Sequence, residues 1–334
     1  MSLRVDWKDP KTKRLCVSYA QDWVLVVIMA LIFYGIDHIQ PYHREFSLED
    51  KTLMYTHAPK DTVPMWAVYI LCLVAPIIFI AIGSLGFRRS VADFHHGVLG
   101  LCLGLSLCCM LTVATKVCTG RPRPDLIDRC QPPVGATDPP LGLSNYTICT
   151  TPMDTYEMID GFKSFPSGHS SFSFAGLAYL SFYLAGKMRL FDGRGHTYKS
   201  FIFAIPFLGA TLVAVSRTRD YRHHWQDVVI GSLLGIACAY FAYRQYHPPL
   251  YDLHCHKAYH IRFAASPNSR TEQYLNSSPG NLEAGVAGDS SRLLVDDTFQ
   301  SRDASHANYN RYQDNGYEPR SPAIQEYDGN NNKL

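Results

Sequence analysis

The sequence has no large excess of charge of either sign. Its formal net charge is +2, because 31 Lys and Arg residues are nearly balanced by 29 Asp and Glu residues. No basic cluster is interleaved with aromatic residues, as an RNA- or DNA-binding surface would require. We therefore expect no nucleic-acid partner.

Several enzyme motifs are also missing. There is no P-loop, and the position six residues after Cys118, where a cysteine phosphatase has its arginine, is Pro124. No carboxylate cluster with the spacing of metal ligands lies near the basic motifs described below. The sequence is therefore consistent with a function that needs no metal ion and no other cofactor.

Aliphatic runs are almost absent from residues 251–334, which are rich in Asn, Ser, Asp, Arg and Tyr. Such a segment contains too little apolar material to form a core, and we expect a disordered cytoplasmic tail. Ser266, Ser278 and Ser321 each precede a proline and are candidate phosphorylation sites. A solvated tail without any regulation is the alternative.

The rest of the chain carries long apolar segments. A helix needs roughly 20 apolar residues, and at least about 17, to cross the hydrocarbon core of a bilayer. The segments that approach or reach this length are 20–36, 63–87, 97–115, 170–186, 200–215 and 228–243. A soluble helical core is the alternative, but two of these segments, 63–87 and 97–115, are both long and uncharged. We therefore predict an all-α, six-span transmembrane bundle over residues 20–246, after a cytoplasmic N-terminal segment, residues 1–19.

Basic residues predict the orientation of these spans, because they favour the cytoplasmic side. They are concentrated before the first span and in the second–third and fourth–fifth loops, which an even number of intervening spans places on one side. The other loops then face a lumen or the outside. There Asn145 begins a glycosylation sequon, and Cys130 and Cys149 are able to form a disulfide. Short spans suit a thin endomembrane (vacuole, Golgi or ER), with the plasma membrane as the alternative.

Three polar clusters lie at span ends on this outer side, where charged groups beside hydrocarbon are usually functional. The first runs from Lys116 to Pro124, directly after the third span, and includes Arg123. Lysine can hold a phosphate as a point charge and arginine as a bidentate fork. An ordinary positive flank is the alternative, but the positive-inside rule places such flanks on the opposite side.

The second cluster is Phe165-Pro-Ser-Gly-His169, immediately before the fourth span. It delivers Ser167 and Gly168 to a helix N-terminus, where unpaired backbone N–H groups and the helix dipole attract an anion. His169 would lie beside that anion and could give or take a proton. A plain serine N-cap next to an interfacial histidine is the alternative.

The third cluster runs from Ser216 to Asp227, between the fifth and sixth spans. His223 and Asp227 are four residues apart, which places them on one helical face. The carboxylate could then accept a hydrogen bond from one imidazole nitrogen and leave the other nitrogen as a nucleophile. Arg217 supplies a further phosphate donor, although an interfacial ion-pair patch is the alternative. Together the clusters contain the parts needed for phosphoryl transfer.

These clusters match a known signature, K-x6-RP, PSGH and SR-x5-H-x3-D. The sequence resembles the type 2 phosphatidic acid phosphatases, also called lipid phosphate phosphatases, over roughly residues 15–246. The stretches 128–132 and 216–224 look close to the fungal diacylglycerol pyrophosphate phosphatases. The resemblance implies an integral-membrane phosphatase of phosphatidate, diacylglycerol pyrophosphate and related lipid phosphates, which works without magnesium.

The resemblance also implies a role for each motif residue. His223 would attack phosphorus and form a phosphohistidine, Asp227 would orient it, and His169 would protonate the leaving group. The phosphate would be held by Lys116, Arg123, Arg217 and the amides of Ser167 and Gly168. Arg121 and His224 duplicate two of these residue types, but the family spacing favours Arg123 and His223.

Two other functions remain as alternatives. A membrane transferase of the sphingolipid synthase type, which moves a phospho-head-group between lipids, would use a similar histidine pair. A six-span transporter would need polar groups near the middle of the membrane, whereas here they cluster at the span ends. The sequence does not identify the preferred lipid.

Overall fold

The computed structural model describes residues 10–252 and 254–259, without the side chains of residues 10–12, 15 and 16. In these ranges the chain is helical, and its only β-type pairing is an isolated bridge between Phe46 and Ser144. The helices are α1 Pro10–Asp37, α2 Met65–Phe87, α3 Val91–Thr119, α4 Leu126–Cys130, α5 Tyr156–Gly161, α6 Gly168–Met188, α7 Thr197–Arg219 and α8 Trp225–Tyr246. Helix α2 contains two π-helical segments, Ile70–Val74 and Ile82–Phe87. The predicted all-α class is confirmed.

Five of the described helices are long and apolar enough to cross a membrane: α2, α3, α7, α8 and the part of α1 from Val17 to Asp37. The remaining predicted span, residues 170–186, is also helical and forms most of α6. Its serines and tyrosines make it less apolar than the other five. The fold therefore agrees with six spans, although only five of the described helices are both long enough and apolar enough to cross a membrane.

Helix α6 owes its polar composition to its position in the bundle. It packs against α2, α3, α7 and α8, and almost all of its residues from Ser170 to Gly186 are buried. Membrane helices that contact other helices use small residues, which allow backbones to approach closely. A Cβ atom on Gly176 would lie 2.2 Å from the carbonyl oxygen of Cys72 in α2, and one on Gly235 of α8 would lie 2.4 Å from that of Ser171.

The loops segregate to the two ends of the bundle. At one end the Tyr42 amide bonds the Val117 carbonyl at 2.9 Å, and the Thr62 amide bonds the Asp220 carboxylate at 2.7 Å. The first–second, third–fourth and fifth–sixth loops therefore meet there, as predicted. Asp93 and Lys187 form a 2.5 Å ion pair at the opposite end.

The structure also places Cys130 and Cys149 in a disulfide, the pair expected from the sequence. Asn145, in the loop that this bond closes, is exposed, and its side-chain oxygen accepts hydrogen bonds from the amide and hydroxyl of Thr147. Glycosylation of Asn145 stays a prediction.

Two boundaries differ from the sequence-based ones. Helix α1 begins at Pro10, ten residues before the predicted span, because its polar first turns continue the same helix. Residues 254–259, predicted to belong to a disordered tail, pack against the bundle: Cys255 is buried, and the Tyr259 amide bonds the Tyr246 carbonyl at 2.9 Å. The rest of that tail, residues 260–334 with its candidate phosphorylation sites, lies outside the described residues.

We expect Gly176→Ala to destabilise the bundle by about 1–3 kcal/mol, the usual cost of overpacking, because the added methyl group meets the α2 backbone. Gly35→Ala is the matched control, since nothing lies within 4 Å of a Cβ atom there. Both substitutions raise helix propensity, so the difference in their thermal unfolding temperatures in detergent isolates the clash. Equal temperatures would contradict the close contact between α6 and α2.

Candidate active site

Three segments that are distant in sequence converge at the loop-rich end described above. Lys116 lies in the last turn of α3, and Gly120 ends that helix with a left-handed φ of 55°. A Cβ atom on Gly120 would lie 1.8 Å from the Tyr42 carbonyl oxygen, so only glycine fits this turn. After this turn, the Arg123 amide bonds the Gly161 carbonyl at 2.8 Å. Lys116 also approaches the second cluster, with its Cε 3.6 Å from a Cβ position on Gly168.

His223 is buried, and one of its ring nitrogens is already bound. Its Nδ1 lies 2.7 Å from the Ser164 carbonyl, which can only accept, so this nitrogen carries the proton. Nε2 makes no hydrogen bond to any described residue and is free to act as a nucleophile. Burial, together with the positive charges of Arg123 and Lys116, holds the pKa of His223 well below its ordinary value.

Asp227 does not make the predicted direct hydrogen bond to His223. Its Oδ2 lies 4.0 Å from His223 Nδ1, beyond hydrogen-bond distance. The reason is that α8 begins at Trp225, so His223 precedes the helix and the four-residue spacing does not place the two side chains on one turn. The carboxylate instead accepts a 2.6 Å hydrogen bond from the Ser164 hydroxyl. Ser164 therefore connects Asp227 to His223.

Asp227 also binds the first cluster. Its Oδ1 accepts a 2.6 Å hydrogen bond from Arg121, and its Oδ2 accepts one of 3.1 Å from the His224 amide. Arg121 thus supports the buried carboxylate. Arg123, which the family spacing favoured as the phosphate ligand, bonds Asp160 at 2.5 Å and affects the pKa of His223 through its charge.

The N-terminus of α6 brings the second cluster into the site. The Ser167 amide donates a hydrogen bond to the backbone carbonyl of Asp227 at 3.0 Å. Contrary to the prediction, this amide is therefore not available to bind a phosphate. Gly168 is the first residue of α6, and first-turn amides have no acceptor within their own helix. Its amide stays a predicted phosphate donor. The Ser167 side chain is buried and accepts a 3.1 Å hydrogen bond from Ser170.

His169 lies beside Arg217. Arg217 Nη1 lies 3.4 Å from His169 Nε2, and the guanidinium is almost fully buried. Asp61 and Asp220 form ion pairs with Arg217 at 3.2 Å and 2.9 Å. The predicted residues His169, His223, Lys116, Arg123 and Arg217 therefore surround one site.

Several residues that position the site were not recognised in the sequence. Lys163 donates to the Asp37 carbonyl at 2.7 Å, and its own carbonyl accepts a 2.6 Å hydrogen bond from Lys116. Burial raises the pKa of the Asp160 carboxyl, but the charges of Arg123 and Arg129 outweigh this effect and hold it below its ordinary value. These residues precede the PSGH motif without belonging to it, so no motif pointed to them.

The part of the chain that the structure describes contains no group of three or more His, Cys, Asp or Glu side chains arranged to hold a metal ion. The buried carboxylates of the site are bound to arginines, serines and backbone amides instead. Metal independence stays a prediction.

Comparison with known proteins gives a consistent family. The PAP2 superfamily profile matches residues 97–250. Lipid phosphate phosphatase 2 of Arabidopsis thaliana is 40% identical over 235 residues, which cover 70% of this chain and 79% of that protein. Diacylglycerol pyrophosphate phosphatase 1 of Saccharomyces cerevisiae is 37% identical over 70% of this chain and 81% of its own length. The probable diacylglycerol pyrophosphate phosphatase 1 of Schizosaccharomyces pombe is 36% identical over 72% and 85%. No solved structure matches.

We expect Ser164→Ala to lower kcat about 10- to 100-fold with little change in KM, because a buried hydrogen bond to a charged group contributes about 1.5–3 kcal/mol. Asp227→Asn should lose more, on the order of 10⁴, by analogy with the orienting acid of a catalytic triad. In the Asp227→Asn background, Ser164→Ala should add little, because the two residues act through one contact. Ser181→Ala, at a buried serine three turns further along α6 than His169, is the control. If the losses in activation free energy of the two single variants add in the double variant, the connection of Asp227 to His223 through Ser164 is contradicted.

The lowered pKa of His223 predicts the acid side of the pH profile. A lowered pKa means that the neutral imidazole persists as the pH falls below 6.5, the ordinary histidine value. The acid limb of kcat/KM should therefore lie below that pH. Arg123→Gln removes a positive charge beside His223 and should move the limb to higher pH. Both proteins are measured on one substrate, so that its own ionisation cancels. If the acid limb of Arg123→Gln lies at the same pH as that of the wild type, the charge of Arg123 is not a cause of the lowered pKa of His223.

Proposed function

The chain belongs to the PAP2 superfamily, and we propose that it is an integral-membrane lipid phosphate phosphatase that acts through a phosphohistidine. One observation carries the proposal. The free Nε2 of His223 lies in a buried site with Lys116, Arg123 and Arg217, and His169 stands beside Arg217. A neutral imidazole among fixed cations is suited to attack an anionic phosphorus centre.

The first step transfers the phosphoryl group to the enzyme. His223 Nε2 attacks phosphorus, so that a P–N bond forms while the P–O bond to the lipid breaks. His169, once protonated beside the bound phosphate, donates its proton to the leaving oxygen. The cationic side chains Lys116, Arg123 and Arg217 stabilise charge on the equatorial oxygens.

The second step returns the enzyme to its starting state. The now neutral His169 accepts a proton from a water molecule as that water attacks phosphorus. The P–N bond breaks, His223 regains its free Nε2, and inorganic phosphate leaves. The Ser164 carbonyl keeps the proton of His223 on Nδ1 throughout, so the nucleophilic nitrogen is always Nε2.

The substrates that we propose are phosphatidate, diacylglycerol pyrophosphate and related lipid phosphomonoesters. The relatives support this class, since their names refer to lipid phosphate and to diacylglycerol pyrophosphate. The head-group transferase and transporter alternatives are not favoured, because the curated relatives are named as phosphatases and the polar site lies at the end of the spans.

The protein is a multi-pass membrane protein with several apolar helices. We propose that the active site faces the lumen of an endomembrane or the cell exterior, with both termini in the cytoplasm. The Cys130–Cys149 disulfide supports this orientation, because it lies at the same end as the site and disulfides persist in oxidising compartments.

The test is phosphate release by the purified protein in EDTA, with phosphatidate, lysophosphatidate, diacylglycerol pyrophosphate and sphingoid phosphates as substrates. We expect turnover in EDTA, inhibition by vanadate, which mimics pentacoordinate phosphorus, and loss of at least about 10³-fold in His223→Ala. His38→Ala, at an exposed histidine of the same end, should retain activity. Activity in His223→Ala would refute the nucleophile, and inactivation by EDTA that magnesium reverses would refute metal independence.

A further inference from the structure

The arginines of the site are each paired with a carboxylate. Arg121 pairs with Asp227, and Arg123 pairs with Asp160. Arg217 pairs with two carboxylates, Asp220 and Asp61. A phosphate that enters this site must therefore compete with carboxylates that already occupy its ligands.

These carboxylates differ in how firmly they are held. Asp227 is fully buried and bound by Ser164, and Asp220 is bound by the amide and hydroxyl of Thr62. Asp160 receives hydrogen bonds from two arginines. Among the described residues, Asp61 makes ion contacts to Arg217 and Arg222 alone, and its side chain is 27% exposed, more than that of any of the other three. It is the carboxylate that can leave most easily.

The position of Asp61 is that of a bound oxyanion. Its Oδ1 lies 3.2 Å from Arg217 Nη1 and 3.2 Å from Arg222 Nε, so two guanidiniums share one oxygen. The same Arg217 nitrogen lies 3.4 Å from His169 Nε2. Arg217 therefore connects this oxygen to His169, and the charge of Asp61 also acts on that histidine.

Arg222 has donor capacity that the described residues do not use. Its Nε is buried, and none of them accepts a hydrogen bond from it at a suitable angle, Asp61 included. Nη2 bonds the Ala58 carbonyl at 3.0 Å, which fixes the plane of the guanidinium. A buried donor without a partner is costly, and a phosphoryl oxygen that lies near the Asp61 position but in line with this N–H would satisfy it.

We propose that Arg222 is a further phosphate-binding residue and that Asp61 occupies the place of a phosphoryl oxygen between Arg217 and Arg222 until the substrate displaces it. The proposal rests on the proposed function for the identity of the substrate. The chemistry that it requires is a phosphoryl oxyanion, from a lipid phosphate or from free phosphate. Asp61 then sets the affinity of the site for both.

Removal of the Asp61 charge separates this role from a structural one by the sign of its effect. If Asp61 competes with phosphate, Asp61→Asn strengthens phosphate binding. If Asp61 only holds the two arginines in place, the same change loosens them and weakens binding. Glu49→Gln is the matched control, because it removes one negative charge from an exposed position of the same loop.

The experiment measures binding of inorganic phosphate to the detergent-purified protein by thermal shift, without turnover. We expect Kd to fall about tenfold in Asp61→Asn and to rise about tenfold in Arg222→Gln, the scale of one partly buried ion contact. In Arg222→Gln, the further change Asp61→Asn should have a smaller effect. Glu49→Gln should leave Kd unchanged.

Weaker or unchanged phosphate binding in Asp61→Asn would overturn the proposal, as would an unchanged Kd in Arg222→Gln. If Arg222→Gln does not fold, the proposal is tested by the sign of the change in phosphate Kd in Asp61→Asn. Arg222→Lys, which keeps the positive charge, then replaces Arg222→Gln. Lipid hydrolysis by the wild type is measured separately. Tighter phosphate binding in Asp61→Asn, together with no lipid hydrolysis by the wild type, would contradict the proposed function but would still support the phosphate site.

Discussion

The site depends on the contacts made by one buried carboxylate, that of Asp227. It has no exposure to solvent, and a buried charge is stable only when its partners remain in place. Those partners come from all three clusters: Arg121 from the first, Ser164 from the segment that leads into the second, and the His224 amide from the third. Its carbonyl also accepts the Ser167 amide. Because one residue needs all of these partners, the three segments must assemble together.

Similar contacts explain how a site with many cations remains stable. Unpaired arginines in a buried site would repel one another, and the carboxylates of Asp160, Asp220 and Asp61 remove most of that cost. Lys116 differs, since it donates to the Lys163 carbonyl and has no ion pair with a described residue. In the proposed mechanism, part of the positive charge that binds a phosphate is therefore already unpaired, at Lys116, and part becomes available when a carboxylate is displaced.

The bundle places this chemistry at the membrane surface through one central helix. Helix α6 is surrounded by other helices, and its first turn supplies Gly168 and His169 to the site. Close backbone contacts at Gly176 and Gly235 hold it against α2 and α8. The helix that carries His169 is therefore held closely against the helix that follows His223.

The sequence by itself determined the helical class, the apolar segments, the pair of cysteines and the residue types of the three clusters, because periodicity, composition and motif spacing are local properties. Only the tertiary structure decided that His223 bonds Ser164 and not Asp227, since that depends on α8 starting after His223. It also decided that Asp61 meets Arg217, a contact between segments far apart in the chain. The low hydropathy of α6 likewise has its cause in neighbours that no local pattern reveals.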